Sequence, residues 1–188
     1  WKNNLIGNLS SGILQLGGRR GVEFVDGRAR FKDSQTLIVE SKDTSSIAFN
    51  HAVLATGSRP LKLSGLGAES DLVMDSTEAL ALEKIPKTLL VVGGGYIGLE
   101  LGTVYAALGS KVTLVELTEE LLPGVDRDLV RPLERRIRQL FEQVNFNTKV
   151  TSIDDRGDHV QAEFEGDIDL THGTFERMFV AVGRRPNS

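Results

Sequence analysis

Cysteine is absent from the 188 residues of this sequence, which excludes a disulfide framework and thiolate chemistry within them. Long apolar runs are also missing, because no stretch approaches the roughly 20 residues of a membrane-spanning helix. A net positive charge is lacking as well, since 26 acidic residues outnumber 22 lysines and arginines and the formal net charge is -4. A nucleic-acid backbone is bound by a concentrated positive field. Neither nucleic acid nor a membrane is therefore expected as a partner.

Histidine is scarce too, and the three histidines are scattered at His51, His159 and His172. None of them has a partner at the spacing of metal ligands, so no metal site is predicted. The chain opens on Trp1, and no secretory signal precedes the first predicted element. We therefore expect a piece of a longer chain. A cytoplasmic location is expected, with the mitochondrial matrix left open as the alternative.

The first third of the chain combines one helical pattern with several strand-like runs. Apolar residues recur at near-helical spacing between positions 5 and 16, and they predict a helix that ends at the glycine pair 17–18. Turn residues then separate four β-like runs that are expected to pair as a small sheet. These runs are residues 22–25, 29–31, 36–39 and 47–54. The linker expected after them contains Gly65, Gly67 and Ser70.

A βαβ unit is predicted in the middle of the chain. Thr88–Val92 is almost wholly apolar, as expected of a parallel strand that is covered on both faces. Helical periodicity follows at once and stops at Gly109, and Lys111–Glu116 is predicted to be the second strand. The predicted apolar face of the helix consists of Ile97, Leu101, Val104, Tyr105 and Leu108.

A second helix is predicted after this unit, with Asp126 or Asp128 as its N-cap. A late start is expected, because it would place Pro132 in the first turn, where the missing N–H is harmless. A kink at Pro132 is the alternative. The predicted buried face consists of Leu129, Leu133, Ile137, Leu140 and Phe141. Strands are then predicted at residues 146–150 and 178–182, with an antiparallel excursion at residues 152–164.

Residues 93–98 form a G-x-G-x-x-G sequence between the predicted strand and the predicted helix. In a dinucleotide-binding fold, Gly93 would permit the tight turn and Gly95 would let the backbone approach the pyrophosphate, while Gly98 would let the helix pack on the sheet. The unpaired amides of the first helical turn would face the phosphates. A purely structural glycine turn is the alternative, but the strand before it and the helix after it favour nucleotide binding.

An acidic residue, Glu116, ends the second strand 18 residues after Gly98, where this fingerprint requires an acid. Its carboxylate is predicted to accept hydrogen bonds from the adenosine ribose. It would also repel the 2'-phosphate of NADP, because residues 117–120 contain no arginine or lysine. NAD is therefore favoured over NADP. Tyr96 and Glu100 are left open between roles beside the nucleotide and ordinary roles as a partly buried ring and a solvent-facing charge.

Two stretches of the chain are alike, because residues 52–60 and residues 178–186 each form an apolar strand followed by glycine, a spacer, arginine and proline. Unrelated strands can end in this way, but two related nucleotide-binding units are the other interpretation. Residues 93–105 and 108–116 complete a set of motifs. Together, these motifs strongly resemble the pyridine nucleotide-disulfide oxidoreductase family, and within it the dihydrolipoamide dehydrogenases most closely. The resemblance covers essentially the whole chain.

The resemblance implies an α/β fold in which a Rossmann-like parallel sheet carries an antiparallel β excursion and follows an incomplete FAD-domain segment. Residues 1–66 would be the C-terminal part of the FAD-binding domain, and residues 67–188 would be the NAD-binding domain. Thr56 and Gly57 would lie near FAD, and Glu100 and Tyr96 would lie near the nicotinamide and the flavin. The implied NAD-binding residues are Gly93, Gly95, Tyr96, Ile97, Gly98, Glu100, Glu116, Val150, Ala181, Val182, Gly183 and Arg184.

The resemblance also implies a parent enzyme that transfers hydride from reduced FAD to NAD after dihydrolipoamide is oxidised. That parent would be a homodimer, with a 2-oxoacid dehydrogenase complex as a further partner. The family's redox cysteines, its FAD fingerprint and its dimerisation domain with the His-Glu base are missing from these residues. We therefore expect no catalytic residue here, no dimer interface, no lipoamide turnover and no tight FAD binding. The alternatives are a soluble pyridine nucleotide transhydrogenase, another flavin disulfide reductase, or a non-catalytic NAD-binding module.

Overall fold

The computed structural model describes residues 1–41, 44–63, 69–167 and 171–187. The chain divides into two units, Trp1–Ala55 and Thr56–Ser188. The domain boundary expected between residues 66 and 67 lies outside the described residues, as do Gly65 and Gly67 of the expected linker. The assignment of an FAD-domain segment and an NAD-binding domain therefore stays a prediction.

The described residues of the first unit form one helix and a three-stranded antiparallel sheet. Helix α1 spans Lys2–Arg19, so the predicted helix is confirmed and ends one residue after the glycine pair. The strands are β1 (Arg28–Asp33), β2 (Thr36–Glu40) and β3 (Ser45–Ala48), in that order across the sheet. No residue of α1 is buried, and its apolar side chains Leu9 and Ile13 are 61% and 68% exposed.

Two strand predictions in this unit are wrong. Residues 22–25 are not a strand, because this segment turns back onto the end of α1. The N–H of Val22 donates to the carbonyl oxygen of Gly17 at 3.0 Å, and the ring of Phe24 covers the Cα of that glycine. The run 47–54 is a strand only as far as Ala48. A strand needs a hydrogen-bonding neighbour, and none of the described strands pairs with residues 52–54, where Val53 is 92% exposed.

The second unit is built on a parallel sheet. In chain order its elements are β4 (Ser58–Pro60), β5 (Val73–Met74), α2 (Ser76–Ala81), β6 (Thr88–Val92), α3 (Tyr96–Ala107), β7 (Lys111–Val115), α4 (Arg127–Leu140), β8 (Gln143–Asn145), β9 (Thr148–Asp155), β10 (Val160–Gly166), β11 (His172–Phe175), β12 (Arg177–Val180) and β13 (Arg184–Pro186). The central sheet has the order β5-β12-β6-β7-β8, and every pair in it is parallel. The predicted βαβ unit is confirmed as β6, α3 and β7.

An antiparallel sheet with the order β11-β10-β9 confirms the predicted excursion. Its alternating residues Val160, Ala162 and Phe164 are buried, as the pattern predicts. The single strand predicted at residues 146–150 is wrong, because β8 ends before it and β9 begins at Thr148. Asn147 separates the two strands with a φ of 47°, a left-handed conformation that asparagine tolerates better than most residues.

Strand β6 shows why the parallel run is apolar throughout. Leu89 and Val91 lie in a core that α3 and α4 cover, whereas Leu90 and Val92 lie in a second core with residues of β9 and β10. All four side chains are buried. A parallel strand covered on both faces has no side that faces water, and this explains the absence of alternation.

Helix α3 packs through small residues as well as large ones. Its buried residues are Gly98, Leu99, Leu101, Gly102 and Tyr105. The predicted face is therefore wrong at Val104 and Leu108, which are 39% and 51% exposed. A Cβ at Gly102 would lie 2.8 Å from Cζ of Phe141, the residue that follows α4. The glycines let α3 approach its neighbours closely, and they rotate the helix away from the phase that large apolar residues alone would give.

Helix α4 differs from its prediction in its start and in its face. It begins at Arg127, so Pro132 lies inside the helix and the late start is wrong. The hydrogen bond that proline removes would reach Asp128, in the exposed first turn, where the carbonyl can bind water instead. The buried apolar residues are Val130 and Ile137, whereas Leu129 is 67% exposed. The N-cap is Asp126, one of the two predicted residues, although its side chain makes no capping hydrogen bond.

Candidate nucleotide-binding site

The glycine turn, residues 93–95, joins the end of β6 to the start of α3. Gly93 has a φ of 109°, in the region that favours glycine, and its N–H donates to the carbonyl oxygen of Val115 at 2.9 Å. A Cβ at Gly93 would lie 2.5 Å from the carbonyl oxygen of Ala181. A Cβ at Gly98 would overlap the carbonyl oxygen of Gly93. Close backbone packing within the protein therefore requires glycine at positions 93 and 98.

Gly95 is different, because a Cβ at this position would meet nothing within 4 Å. It is the N-cap of α3, with a φ of -75° that any residue can adopt, and no side chain caps the helix there. The first amides of a helix have no partner within the helix. The protein thus leaves open space in front of Gly95, where the start of a helix could bind an anion.

Glu116 follows β7 directly and lies against the glycine turn, as its role in the fingerprint predicts. Its Oε2 accepts a hydrogen bond of 2.5 Å from the N–H of Gly94. Its Oε1 accepts hydrogen bonds of 2.8 Å from both the N–H and the hydroxyl of Thr118. The residue is only 9% exposed, so these bonds hold the carboxylate in a fixed orientation. A carboxylate has about four acceptor positions, and these three donors leave one for a ligand hydroxyl.

A cavity of about 670 Å³ opens beside Glu116 and the glycine turn. Its volume is within the range of small-molecule and cofactor sites. The lining residues are Leu63, Val92, Gly93, Gly95, Tyr96, Ile97, Val115, Glu116, Leu117, Thr118, Pro123, Thr148, Lys149, Val150, Ala181, Val182, Gly183 and Arg184. Every residue predicted to bind NAD is among them except Gly98 and Glu100. The cavity also lies at the carboxyl ends of β6, β7 and β12, where open α/β sheets bind ligands.

Three of the predicted site residues, Gly98, Glu100 and Tyr96, differ in their position relative to the cavity. Gly98 is buried beneath the glycine turn and supports it, so it does not line the cavity. Glu100 is exposed on α3 outside the cavity lining. Tyr96 lines the cavity while its side chain remains 63% exposed. The predicted nearness of Glu100 and Tyr96 to a nicotinamide and a flavin stays a prediction.

Sequence reasoning missed eight residues of the lining. Thr118 stood within the segment after Glu116, but its hydrogen bonds to that carboxylate could not be read from spacing. Lys149 brings one positive charge to a cavity that also contains the carboxylate of Glu116. The sequence did offer one indication of Lys149, because its neighbour Val150 was predicted to line the NAD site. The missed residues are Leu63, Val92, Val115, Leu117, Thr118, Pro123, Thr148 and Lys149.

Arg184 lines the cavity, but its guanidinium is occupied by protein atoms. Its Nε donates to the hydroxyl of Ser58 at 2.7 Å, and its Nη2 donates to the carbonyl oxygen of Ser58 at 2.6 Å. Its Nη1 donates to the hydroxyl of Ser76 at 3.0 Å. These bonds accompany the pairing of β4 with β13, the strands that directly follow the glycines of the two similar Gly-x-Arg-Pro ends. Only the last three residues of the two similar stretches therefore pair with each other, in antiparallel fashion.

The two residues predicted to lie near FAD precede this strand pair. The Thr56 hydroxyl donates to the carbonyl oxygen of Asn187 at 2.6 Å, and the N–H of Asn187 donates to the carbonyl oxygen of Gly57 at 3.0 Å. Both residues are exposed. Contact of Thr56 and Gly57 with FAD stays a prediction.

Two further features concern metals and membranes. Among the described residues, no group of three or more histidine, cysteine, aspartate or glutamate side chains could hold a metal ion. None of the helices in the described part of the chain is both long and apolar enough to cross a membrane.

Comparison with known proteins relates this chain to a family of flavoenzymes. The model of the family described as pyridine nucleotide-disulphide oxidoreductase matches residues 3–188. The dihydrolipoyl dehydrogenase of Haemophilus influenzae is 37% identical over 188 residues, which are 99% of this chain and 39% of that protein. Dihydrolipoyl dehydrogenase 2 of Haloarcula marismortui is 38% identical over 192 residues, which cover 99% of this chain and 40% of that protein.

Solved structures agree with this relationship. The HOCl-induced flavoprotein disulfide reductase RclA from Escherichia coli matches with a TM-score of 0.82 at 27% identity, over 99% of this chain and 42% of that chain. LpdA from Mycobacterium tuberculosis matches with a TM-score of 0.82 at 24% identity, which shows the fold alone. The chain spans about 40% of the length of the curated relatives that it matches. The expected α/β fold is confirmed, and this chain belongs to the pyridine nucleotide-disulphide oxidoreductase family.

Proposed function

We propose that this chain is the NAD-binding portion of a flavoprotein dihydrolipoyl dehydrogenase. The observation that carries the proposal is the position of the Glu116 carboxylate, which is bound to the peptide of the glycine turn and lines a cavity large enough for a nucleotide. When bound, NAD would accept the electron pair that the reduced flavin of the parent enzyme supplies. The residues described here would bind and orient NAD but would not carry out the dithiol chemistry.

The protein offers suitable contacts for two parts of a dinucleotide, the pyrophosphate and the adjoining ribose. Gly95 leaves free space at the start of α3, so a pyrophosphate could approach the backbone and the unpaired amides of the first turn. Glu116 has one acceptor position left after its three protein donors, and a ribose hydroxyl could use it. Val150 and Val182 add apolar surface to the same cavity.

The charges around the cavity support NAD rather than NADP. A 2'-phosphate on the adenosine ribose would lie beside the largely buried carboxylate of Glu116. Two negative charges that are close together repel each other strongly. Residues 117–120 offer no positive charge to compensate. Lys149 and Arg184 provide two positive charges in the lining, but the guanidinium of Arg184 is already bound by Ser58 and Ser76, so these charges would reduce the repulsion without reversing it. We therefore propose that the site prefers NAD over NADP, and that the positive charge of Lys149 makes this preference smaller.

The first unit supports the second part of the proposal, which assigns residues 1–66 to an FAD-binding domain. The apolar side chains of α1 are exposed, including Leu5, Leu9 and Ile13, and a face of this kind normally packs against further protein. This chain covers only 39% and 40% of the length of the two dihydrolipoyl dehydrogenases, so most of each relative lies outside the matched part. In the parent, Thr56 and Gly57 would contact FAD, and Glu100 and Tyr96 would lie near the nicotinamide and the flavin.

The whole parent protein would act on dihydrolipoamide as a homodimer in the cytoplasm, in association with a 2-oxoacid dehydrogenase complex. The identity of 37% and 38% to two dihydrolipoyl dehydrogenases supports this substrate. Another flavin disulfide reductase is the second candidate, because RclA matches nearly the whole chain at 27% identity. The higher identity to the dihydrolipoyl dehydrogenases favours the first candidate.

Calorimetric titration of the 188-residue chain with NAD and with NADP tests the proposed nucleotide role. The unaltered chain should bind NAD at least about tenfold more tightly than NADP, a difference of about 1.4 kcal/mol. Glu116→Gln should weaken NAD binding and narrow the difference, because the amide lacks the charge that repels the phosphate. Equal affinity of the unaltered chain for NAD and NADP would contradict the preference for NAD.

Two controls separate binding from folding in this experiment. Glu119→Gln removes an exposed carboxylate three residues away and should leave both affinities unchanged. Urea unfolding of each variant shows whether a lost affinity reflects a lost fold. If the folded, unaltered chain binds neither nucleotide, the proposal that this is a nucleotide-binding portion is wrong.

A further inference from the structure

The loop between β7 and α4, residues 117–126, packs against the glycine turn. The N–H of Leu122 donates to the carbonyl oxygen of Gly94 at 3.1 Å. Leu121 is fully buried, and its Cδ2 would lie 2.8 Å from a Cβ at Gly94. The N–H of Gly94 donates to Glu116, the residue just before the loop. Gly94 is thus held through its N–H, its carbonyl and its Cα by residues that follow β7.

One guanidinium, that of Arg127 at the start of α4, binds this loop. Its Nη1 donates to the carbonyl oxygen of Leu121 at 3.0 Å, and its Nη2 donates to those of Leu122 and Val125 at 2.8 Å each. Its Nε also donates to Val125 at 3.0 Å. Nη1 forms an ion pair of 3.0 Å with Glu120 as well. Arg127 therefore connects four loop residues to the helix, and its side chain is only 33% exposed.

The shape of this loop is not one that its residues prefer. Leu122 has a φ of 50°, in the left-handed region that leucine rarely adopts. A residue stays in that region only when the surrounding structure holds it there. Arg127 binds the carbonyl of Leu122, whose N–H is the donor to Gly94. The contact between the loop and the glycine turn thus depends on a conformation that Arg127 stabilises.

We infer that Arg127 is a positioning residue for the nucleotide site. It fixes the loop that holds the Gly94 peptide, and it thereby keeps the amides at the start of α3 in the orientation that a pyrophosphate needs. This inference rests on the proposed binding of NAD. If the turn were correctly placed for only about a tenth of the time, NAD would bind about tenfold more weakly, because apparent affinity scales with the competent fraction.

The test compares Arg127→Ala with the unaltered 188-residue chain by NAD calorimetry and by amide hydrogen exchange. We expect about tenfold weaker NAD binding, together with faster exchange at Gly94 and Leu122, while Leu90 in β6 keeps its protection. A purely structural role would instead speed exchange throughout the unit as global stability fell. Arg131→Ala, which removes an exposed arginine one turn along α4, is the matched control and should change neither quantity.

Arg127→Lys serves as the second variant, and it decides the outcome if the alanine variant does not fold. Lysine keeps the charge but lacks the planar fork that binds several carbonyls, so an intermediate affinity is expected. Failure of the unaltered chain to bind NAD would contradict the proposed function. If the unaltered chain binds NAD and the folded Arg127 variant binds within about twofold of it, the role assigned to Arg127 is wrong while the proposed function stands.

Discussion

The carboxylate of Glu116 accepts a hydrogen bond of 2.5 Å from the backbone N–H of Gly94, although 22 positions separate the two residues. This bond joins the end of β7 to the turn that follows β6, the neighbouring strand in the sheet. The same side chain also receives two hydrogen bonds from Thr118. The acid is therefore part of the structure of the turn and remains available to a ligand on its remaining side.

Substitutions of Gly98 and Gly95, two glycines of the G-x-G-x-x-G sequence, should affect folding and nucleotide binding separately. Gly98→Ala should lower the free energy of unfolding by about 1 to 3 kcal/mol, because its Cβ would overlap the carbonyl oxygen of Gly93. Gly95→Ala should change that free energy by less than about 1 kcal/mol, since a Cβ there meets nothing within 4 Å. It should nevertheless weaken NAD binding, because the methyl group would occupy the space proposed for the pyrophosphate.

Urea unfolding followed by circular dichroism, together with calorimetry, would measure both effects. Gly109→Ala is less suitable as a control, because Gly109 has a φ of 102°. Gly18→Ala is suitable, since a Cβ at Gly18 meets nothing within 4 Å and the residue lies in the first unit. It should leave NAD binding unchanged. If a folded Gly95→Ala variant bound NAD as tightly as the unaltered chain, the proposed contact between the pyrophosphate and Gly95 would be wrong.

Gly102 and Phe141 should be energetically coupled. A Cβ at Gly102 would lie 2.8 Å from Cζ of Phe141, a ring that is only 5% exposed and cannot swing away. Gly102→Ala should therefore destabilise the chain by about 1 kcal/mol. In a Phe141→Leu background the same change should be neutral or stabilising, because alanine is preferred over glycine in a helix by about 1 kcal/mol. A double-mutant cycle from urea unfolding should give a coupling of about 1 kcal/mol or more, whereas additive effects would show that the two residues do not press on each other.

The features that sequence predicted well are those with a local cause. β6 was predictable because five consecutive residues are suited to burial on both faces, and the glycine turn was predictable because each glycine has a separate steric reason. Glu116 was predictable because one βαβ unit fixes its distance from the turn. These patterns depend on neighbours along the chain, so one sequence contains nearly all the information that they need.

The features that sequence missed depend on residues that are distant in the chain. The phase of α3 follows from close packing at Gly102, which becomes visible only once Phe141 is in place. Lys149 lines the cavity because β9 lies beside the carboxyl end of β7, and only its position next to the predicted Val150 indicated that placement. The split between β8 and β9 likewise involves distant residues, because the N–H of Asn147 donates to the carbonyl oxygen of Thr118 at 3.0 Å and its side-chain amide donates to Asp167 at 3.0 Å.

Asp75 should make the stability of the second unit depend on pH. It is the N-cap of α2 and forms a capping box with Glu78. Burial acts to raise the pKa of Asp75, but hydrogen bonds from Thr77 and Glu78 outweigh it and hold the pKa below its usual value of 3.8. The stabilisation is therefore present above about pH 4 and is lost as the pH falls through the lower pKa of the folded state.

Asp75→Asn provides the matched comparison, because asparagine also caps helices but does not titrate. Asp75→Ala should lower the free energy of unfolding by about 1 kcal/mol at neutral pH. The difference in the free energy of unfolding between Asp75→Ala and the unaltered chain should shrink once Asp75 is protonated. The difference in that free energy between the asparagine and alanine variants should persist. Urea unfolding at about pH 7 and about pH 3 measures these differences. A gap between the alanine variant and the unaltered chain that is the same at both pH values would show that the ionised carboxylate has no special role.

Pro132 should be a position at which α4 can be stabilised. It lies inside the helix and is exposed, so its replacement does not disturb the core. Pro132→Ala restores an N–H that can bond to the carbonyl of Asp128, and alanine is favoured over proline inside a helix by up to about 3 kcal/mol. Because the lost bond is close to the helix start, we expect a gain of about 1 to 2 kcal/mol in the free energy of unfolding.

Arg136→Ala, an exposed change on the same helix, should alter that quantity by less than about 0.5 kcal/mol. Urea unfolding would measure both variants, and no gain in the Pro132 variant would mean that the helix start relaxes around proline without strain.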